Sequence, residues 1–526
     1  MRHLQVRQLV YQFWYRFVWP LDRTGKSYPK VLPPTIVFSD GPTCGSTNLP
    51  SKIAPITLLG TAHFSLLNLT QDFGAISAID WEYSERGKLW TYNLNYFEFL
   101  RQPGLELALG QNLIDGWMDQ SNHLRQAWEP YPLSLRLVHW LSFYREQQTP
   151  VPQRVTRSLY RQYRTLWYKR EFHLGGNHLL ENAMALFLGA WYFQDGARLS
   201  KSRRFLQRQL SEQYLPDGAH YELSPMYHCV LLWRLLDVYA LVFFDKAEQK
   251  LPVPLESFMP FLRDKLQRQL GWLKAMLNDQ GYYPHFNDST DGIAPTPIAL
   301  LGYAKQMELK PLVPAHPFPY RKYYWGTSSL WVDVAPLGSP EQPGHAHADN
   351  LHFCLSDAER PIIIDTAVST YEKNKQRLWE RSTTAHNTVT IKGENSSEIW
   401  GGFRCGRRAR TKITAEQSNE LVAEHDGYRQ LGKAHRRSFH WAEDTLQIED
   451  YTLGKGTAHF HFHPSIEPAR NAKNEIIVGP YLISYSPAAQ GELQRYECAV
   501  GFNQLCPAWR LVLDFEGDLI TQVRKI

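Results

Sequence analysis

Six cysteines in 526 residues (Cys44, Cys229, Cys354, Cys405, Cys498 and Cys506), with no C-x-x-C pair among them, exclude a cysteine zinc site and a disulfide framework. A single bridge, Cys498 to Cys506, is the pairing left open. No stretch of about 18 consecutive apolar residues occurs, so no membrane span is expected. There is no dense run of Lys or Arg, and a net charge of +5 is too small to be a nucleic-acid footprint, although it favours an anionic partner. At the start, "MRHLQVRQLVYQFWYRFVWPLDR", Gln12 and Arg16 interrupt the apolar run and no small-residue cleavage site follows. That argues against a signal peptide and for an amphipathic helix docked on the protein's own core.

What is present in surplus is aromatic. Phe, Trp and Tyr make 13% of the chain, against a hydrophobic share of 43% and a charged share of 21% that are ordinary for a globular protein. Such a surplus either lines a sugar-binding cleft or builds a large aromatic core. At one domain per roughly 150 residues the length predicts two or three domains.

Periodicity changes character once. From about residue 90 to 310 apolar residues recur at helical spacing, as in "PLSLRLVHWLSFYREQ", "NHLLENAMALFLGAWYF", "MYHCVLLWRLLDVYALVFF" and "LESFMPFLRDKLQRQLGWLKAMLND". Successive one-sided helices must bury their apolar faces on one another, as a bundle, a solenoid or a toroid. After "VPAHPFPYRKYY" the pattern turns to short strands, among them "SSLWVDVA", "LHFCLS", "PIIIDT", "HNTVTIKG", "TKITAEQ" and "WRLVLDFEG". Strands without intervening helices predict an antiparallel sandwich. The boundaries expected are 1–60 for an N-terminal extension, 61–320 for the helical domain and 321–526 for the strands.

"GHAHADNLHF", residues 344–353, sets two imidazoles and a carboxylate at a strand mouth, where apolar residues would be expected. A hairpin of "LHFCLS" and "PIIID" about the turn "DAER" pairs His352 with about Asp365 and leaves His345 and His347 just beyond that end. His386 opens the next strand. His347, Asp365 and His386 thus form a candidate zinc set, while His345, on the same face as His347, is left for chemistry. "NDSTDG", residues 287–292, lacks the spacing and terminal Glu of a calcium loop and reads as a polar turn.

Seven segments in order, "WTYNLNYFEFL", "WEPYPLSLRLVHW", "GGNHLLENA", "DGAHYELSPMYH", "NDSTDGIAPTP", "GHAHADNLHF" and "RSTTAHNTV…EIWGGFR", make the chain resemble the heparinase II/III family of polysaccharide lyases. The resemblance implies an N-terminal (α/α) toroid followed by a C-terminal antiparallel β-sandwich. It implies catalytic roles for Asn177, His178, Tyr227 and His345, and metal ligation by His347, Asp365 and His386 around a structural Zn2+. Glu181 matches a family cleft carboxylate, and Tyr371 and Arg404 are further candidates for substrate contact. Leu223 stands where the family often has Arg, and Ala346 where Gly is common.

The implied partner is an anionic uronate-containing polysaccharide, and the implied setting is periplasmic or extracellular, although no signal peptide is visible. In β-elimination the C-5 proton is removed and the O-4 substituent expelled. Hydrogen-bond donors such as Asn177 and His178 would stabilise the charge building on the uronate carboxylate, at about 3 kcal/mol each. Tyr227 suits the role of base or of acid if nearby cations lower its pKa. A uronate C-5 epimerase on the same scaffold and a non-catalytic glycan-binding or polysaccharide-assembly protein are the alternatives.

Overall fold

The computed structural model describes residues 6–13, 53–243, 257–358 and 360–526, together with Thr35 and Leu255. Val6–Phe13 forms a helix, in line with the amphipathic start; the rest of that segment and Cys44 lie outside the described residues. The chain divides into two compact units. One comprises residues 1–218, 229–270 and 292–312; the other comprises 219–228, 271–291 and 313–526.

The first unit is helical. With Val6–Phe13 as α1, the chain continues through α2 (Lys88–Tyr96), α3 (Leu107–Gln120), α4 (Pro130–Glu146), α5 (Gln153–Lys169), α6 (Gly176–Tyr192) and α7 (Gly196–Gln213). Then come α8 (Pro225–Phe243), α9 (Phe258–Met276) and α10 (Pro297–Gln306). Asp195 caps α7 by accepting the Arg198 amide, and Leu199, Leu206 and Leu210 form its buried stripe. α6 is buried nearly all round, which explains why its sequence reads as one apolar block.

Part of the aromatic surplus goes into this unit's core. Trp81 stacks on Phe97 at 5.1 Å, and Trp117 meets Trp140 edge-on at 5.5 Å, all four fully buried. Even the buried Arg136 serves the packing: its guanidinium lies 4.1 Å from the Trp117 ring and donates to Gln162 Oε1 and to the Asn95 and Ala127 carbonyls.

The second unit is built on antiparallel sheets. A small hairpin of the helical unit supplies β1 (His63–Leu66) and β2 (Leu69–Asp72), so the numbering resumes at β3 (Tyr320–Trp325), β4 (Ser328–Asp333), β5 (Phe353–Ser356) and β6 (Pro361–Ile363), which pair in that order. α11 (Lys375–Glu380), β7 (Val389–Thr390), β8 (Ile399–Trp400) and β9 (Arg404–Cys405) follow. The larger sheet is made of β7, which pairs with β13, and of β10 (Thr411–Gln417), β11 (Glu420–His425), β12 (His435–Ala442), β13 (Thr445–His461), β14 (Ala469–Ala472), β15 (Glu475–Val478), β16 (Tyr481–Tyr485), β17 (Gln490–Gly501) and β18 (Gln504–Lys525).

Leu330, Val332, Phe353 and Ile363 of the smaller sheet share one apolar core with Phe439, Ile448, Phe460 and Leu513 of the larger one. The two sheets are thus packed layers, the arrangement that alternating strands without helices demand. Cys498 and Cys506 face each other across β17 and β18, and both are free thiols.

Candidate active site

Within the sheet unit the first turn of α8, residues 287–289 and the loop before β5 converge. Ser224 caps α8: its hydroxyl accepts the Tyr227 amide at 3.1 Å and donates to the Asp288 carbonyl at 2.7 Å. That places Tyr227 on the first helical turn. The preceding Leu223 holds a left-handed φ of 59°, a conformation unusual for a branched side chain, and its carbonyl accepts from Asn287 Nδ2 at 2.9 Å and from the Tyr320 hydroxyl at 2.5 Å.

The Tyr227 and His345 rings lie 4.1 Å apart, and the Tyr371 hydroxyl donates to the Tyr227 oxygen at 3.1 Å. Phe403 packs edge-on against His345 at 5.9 Å and against Tyr371 at 5.2 Å. Burial raises the Tyr227 phenol above its ordinary value, and the nearby Asp288 and Glu222 carboxylates add to this; the Tyr371 hydroxyl and Arg377 oppose it. The condition that nearby cations lower it is not met: desolvation and the carboxylates outweigh the Arg377 guanidinium. Tyr227 rests as a neutral hydroxyl.

Asp288, inside the segment read from sequence as a polar turn, is fully buried and organises the site. One oxygen lies 2.8 Å from His345 Nδ1, and the other lies 2.8 Å from His347 Nε2. Arg377 of α11 grips both oxygens, at 2.5 and 2.7 Å. Burial works against its charge, but Arg377 and the two imidazoles hold the carboxyl well below the usual range. An ionised Asp288 fixes His345 with the proton on Nδ1, which makes Nε2 the basic nitrogen. Arg381 reinforces the loop by donating to the Ala346 carbonyl at 2.9 Å. Neither Asp288 nor Arg377 stood out in the sequence. The clue for Asp288 was a polar run beside a left-handed Asn287 (φ 58°), which no periodicity reveals.

The three expected metal ligands are all buried, and His386 stands at their centre. Two groups of ligand atoms lie within 4.8 Å of one another: His347, Asp349 and His386, and His352, Asp365 and His386. His347 and Asp365 do not share such a group among the described residues. Asp365 Oδ2 sits 3.0 Å from His352 Nε2 and 3.1 Å from His386 Nδ1, as the hairpin about "DAER" requires for His352. Meanwhile His347 Nδ1, Asp349 Oδ2 and His386 Nε2 are buried without a hydrogen-bond partner among the described residues. Orphaned polar atoms of this kind cost about 1–3 kcal/mol each. Two imidazoles and a carboxylate suit a divalent cation such as zinc, and these residues fit one.

The other candidates lie elsewhere. Asn177 and His178 open α6 on the helical unit, after the left-handed Gly175 and Gly176. His178 Nδ1 is 3.1 Å from Glu171 Oε1, and Asn182 holds Glu171 in turn through its amide group. Glu181, expected in a cleft, is 0% exposed, with Arg234 Nε 4.0 Å away, and burial raises it to about 8. Its place on the buried side of α6 makes it a core acid rather than a surface for substrate. Tyr371 joins Tyr227 as described, whereas Arg404 is exposed on β9.

Residues 78–296 match the heparinase II/III N-terminus family model, and residues 310–511 match the heparinase II/III-like C-terminal one. A heparin-sulfate lyase of Bacteroides stercoris is 23% identical over 413 residues, covering 70% of this chain; the chain spans only 58% of that relative's length. A crystal structure of heparinase III superposes with a TM-score of 0.66 at 15% identity, covering 99% of this chain and 89% of the other. The heparan sulfate lyase of Pedobacter heparinus superposes at 0.55 with 16% identity, over 88% of this chain and 81% of its own. These likenesses share the order seen here, helices followed by antiparallel sheets, and with both domain models matched in sequence the chain belongs to the heparinase II/III-like family.

Proposed function

We propose that the protein is a lyase that cleaves a uronate-containing anionic polysaccharide by β-elimination. The observation that carries this reading is a neutral Tyr227 hydroxyl packed against a histidine whose Nδ1 is tied to an ionised carboxylate. His345 Nε2 takes the C-5 proton, and the C–H electron pair becomes the C4–C5 double bond as the C4–O4 bond breaks. O-4 leaves with the Tyr227 proton. The imidazolium then returns its proton to the phenolate beside it, which resets both groups.

Two groups whose rings lie 4.1 Å apart approach a sugar from one side, so the pair suits loss of H-5 and O-4 from the same face. A C-5 epimerase must deliver its second proton from the opposite face, which this pair does not supply. On the family resemblance we assign Asn177 and His178 of the helical unit to the uronate carboxylate.

The test is ultraviolet absorbance of unsaturated uronate during incubation with heparan sulfate, hyaluronan, chondroitin, alginate and bacterial uronans, run in parallel in heavy water. Absorbance should rise on at least one polymer. Deuterium at C-5 of uncut chains would replace this reading with an epimerase, and binding without either signal would replace it with a glycan-binding role.

We further propose that a zinc ion, which when bound would hold the loop carrying His345, is ligated by His386 together with His347 and a carboxylate. The family resemblance points to Asp365 for that carboxylate, while the partnerless oxygen belongs to Asp349. Since His386 belongs to both groups, His386→Ala should abolish stoichiometric metal in elemental analysis. Of Asp349→Asn and Asp365→Asn, the ligand's variant should lose the metal outright and the other should weaken it about 10- to 100-fold. Full metal content in His386→Ala would end the assignment.

A further inference from the structure

The helical unit carries a second feature suited to an anionic glycan. A groove of about 640 Å3 has an aromatic floor, in which Tyr11 and Phe172 lie 4.5 Å apart and Phe172 and Phe205 lie 5.5 Å apart. Its rim is cationic: Arg170 from the end of α5, and Lys201, Arg204 and Arg208 from α7.

The helical period explains the rim. Positions 201, 204 and 208 fall on one face of α7, opposite the buried Leu199, Leu206 and Leu210, so the same amphipathicity that docks the helix aligns three cations on its outer side. They span about 10 Å along the axis at 1.5 Å per residue. Arg170 lies 5.1 Å from the Phe172 ring, and Arg208 lies 5.9 Å from Phe205. Among the described residues no carboxylate lines the groove. Arg208 has a pair with Glu212 at 3.4 Å, both about half exposed, a contact worth little in water.

We infer that this groove is a secondary binding site for an anionic polysaccharide strand, which it holds without cutting. The like charges of Lys201, Arg204 and Arg208, aligned on one helix face, repel each other unless an anion neutralises them. Carboxylates or sulfates spaced along a glycan meet that need at the rim, while sugar faces pack on the rings below, and a chain with repeating charge engages several cations together. The inference rests on the proposed anionic-polysaccharide substrate, and the groove contains none of the residues assigned to the reaction.

The experiment is Lys201→Ala/Arg204→Ala/Arg208→Ala, whose alanines favour the helix they replace, with circular dichroism confirming the fold. Binding is measured with Tyr227→Phe in both proteins so that chains stay intact, using long and short heparan sulfate fragments and unsulfated hyaluronan over a range of salt. Long-chain affinity should fall about tenfold with a shallower salt dependence, while a tetrasaccharide is bound as before. In the Tyr227-containing background KM for long chains should rise about tenfold with kcat held. Loss on heparan sulfate alone identifies sulfate as the anion recognised, and equal loss on both polymers identifies carboxylate. Unchanged long-chain affinity and salt dependence would overturn the inference. Failure of the lyase reading has a different signature, the absence of unsaturated product from the unmodified protein.

Discussion

Tyr227→Phe is expected to reduce kcat by about 10²- to 10⁴-fold, or roughly 3–5 kcal/mol of transition-state stabilisation, with KM nearly unchanged. The substitution removes one oxygen and leaves the ring against His345, so the stacking that shapes the site survives. It also removes the acceptor for the Tyr371 hydroxyl. The direction follows from the electrostatics. With burial raising its pKa, Tyr227 cannot serve as a resting phenolate base at neutral pH, and its value lies in the proton it carries to O-4. The check is steady-state kinetics on a substrate with a natural sugar leaving group beside one with a good leaving group. The good leaving group should recover much of the lost rate, since its departing oxygen needs no proton. Equal losses on both would remove Tyr227 from the acid role and assign the loss to positioning.

Much of this arrangement was legible in the sequence because it depends on period. The helices reported themselves through apolar stripes such as Leu199, Leu206 and Leu210, and the sheets through alternation, as in β10. The hairpin about "DAER" correctly brought His352 to Asp365 because hairpin register follows from local chain geometry. What periodicity cannot convey is which polar residues are buried together. Asp288 and Arg377 are 89 residues apart in sequence and meet in a fully buried pair. Nothing local distinguishes Arg377 in "KNKQRLWE" from an arginine on a solvated helix face. Glu181 fails in the opposite direction: one turn after His178, it turns into the core of the helical unit. A polar residue's spacing gives its face, but only the packing around that face decides between core and cleft.

Asp288→Asn should be the most damaging single substitution in the sheet unit. The carboxylate carries three duties: it fixes His345 through Nδ1, fixes His347 through Nε2, and neutralises a fully buried guanidinium. An amide has the same shape but one acceptor oxygen, and because each Asp288 oxygen meets one imidazole and one Arg377 nitrogen, its NH2 faces an imidazole and the guanidinium together in either orientation. If it faces His345 the imidazole adopts the other tautomer and Nε2 carries the proton, which abolishes the base. The corresponding exchange in a Ser-His-Asp triad costs about 10⁴ in kcat by the same route. In either orientation Arg377 loses one acceptor and the carboxylate charge, so a buried charge is left uncompensated at about 3–5 kcal/mol. The expected result is therefore a kcat loss on the order of 10³ to 10⁴, with lower unfolding stability. A double substitution separates the two effects. Adding Arg377→Met to Asp288→Asn removes the stranded charge, so stability should recover by at least half while kcat stays down, because His345 still lacks its carboxylate. Denaturant unfolding and kinetics on the same preparations provide the check. Recovery of kcat in the double variant would mean that Asp288 acts only by compensating Arg377, and the tautomer argument for His345 would fall with it.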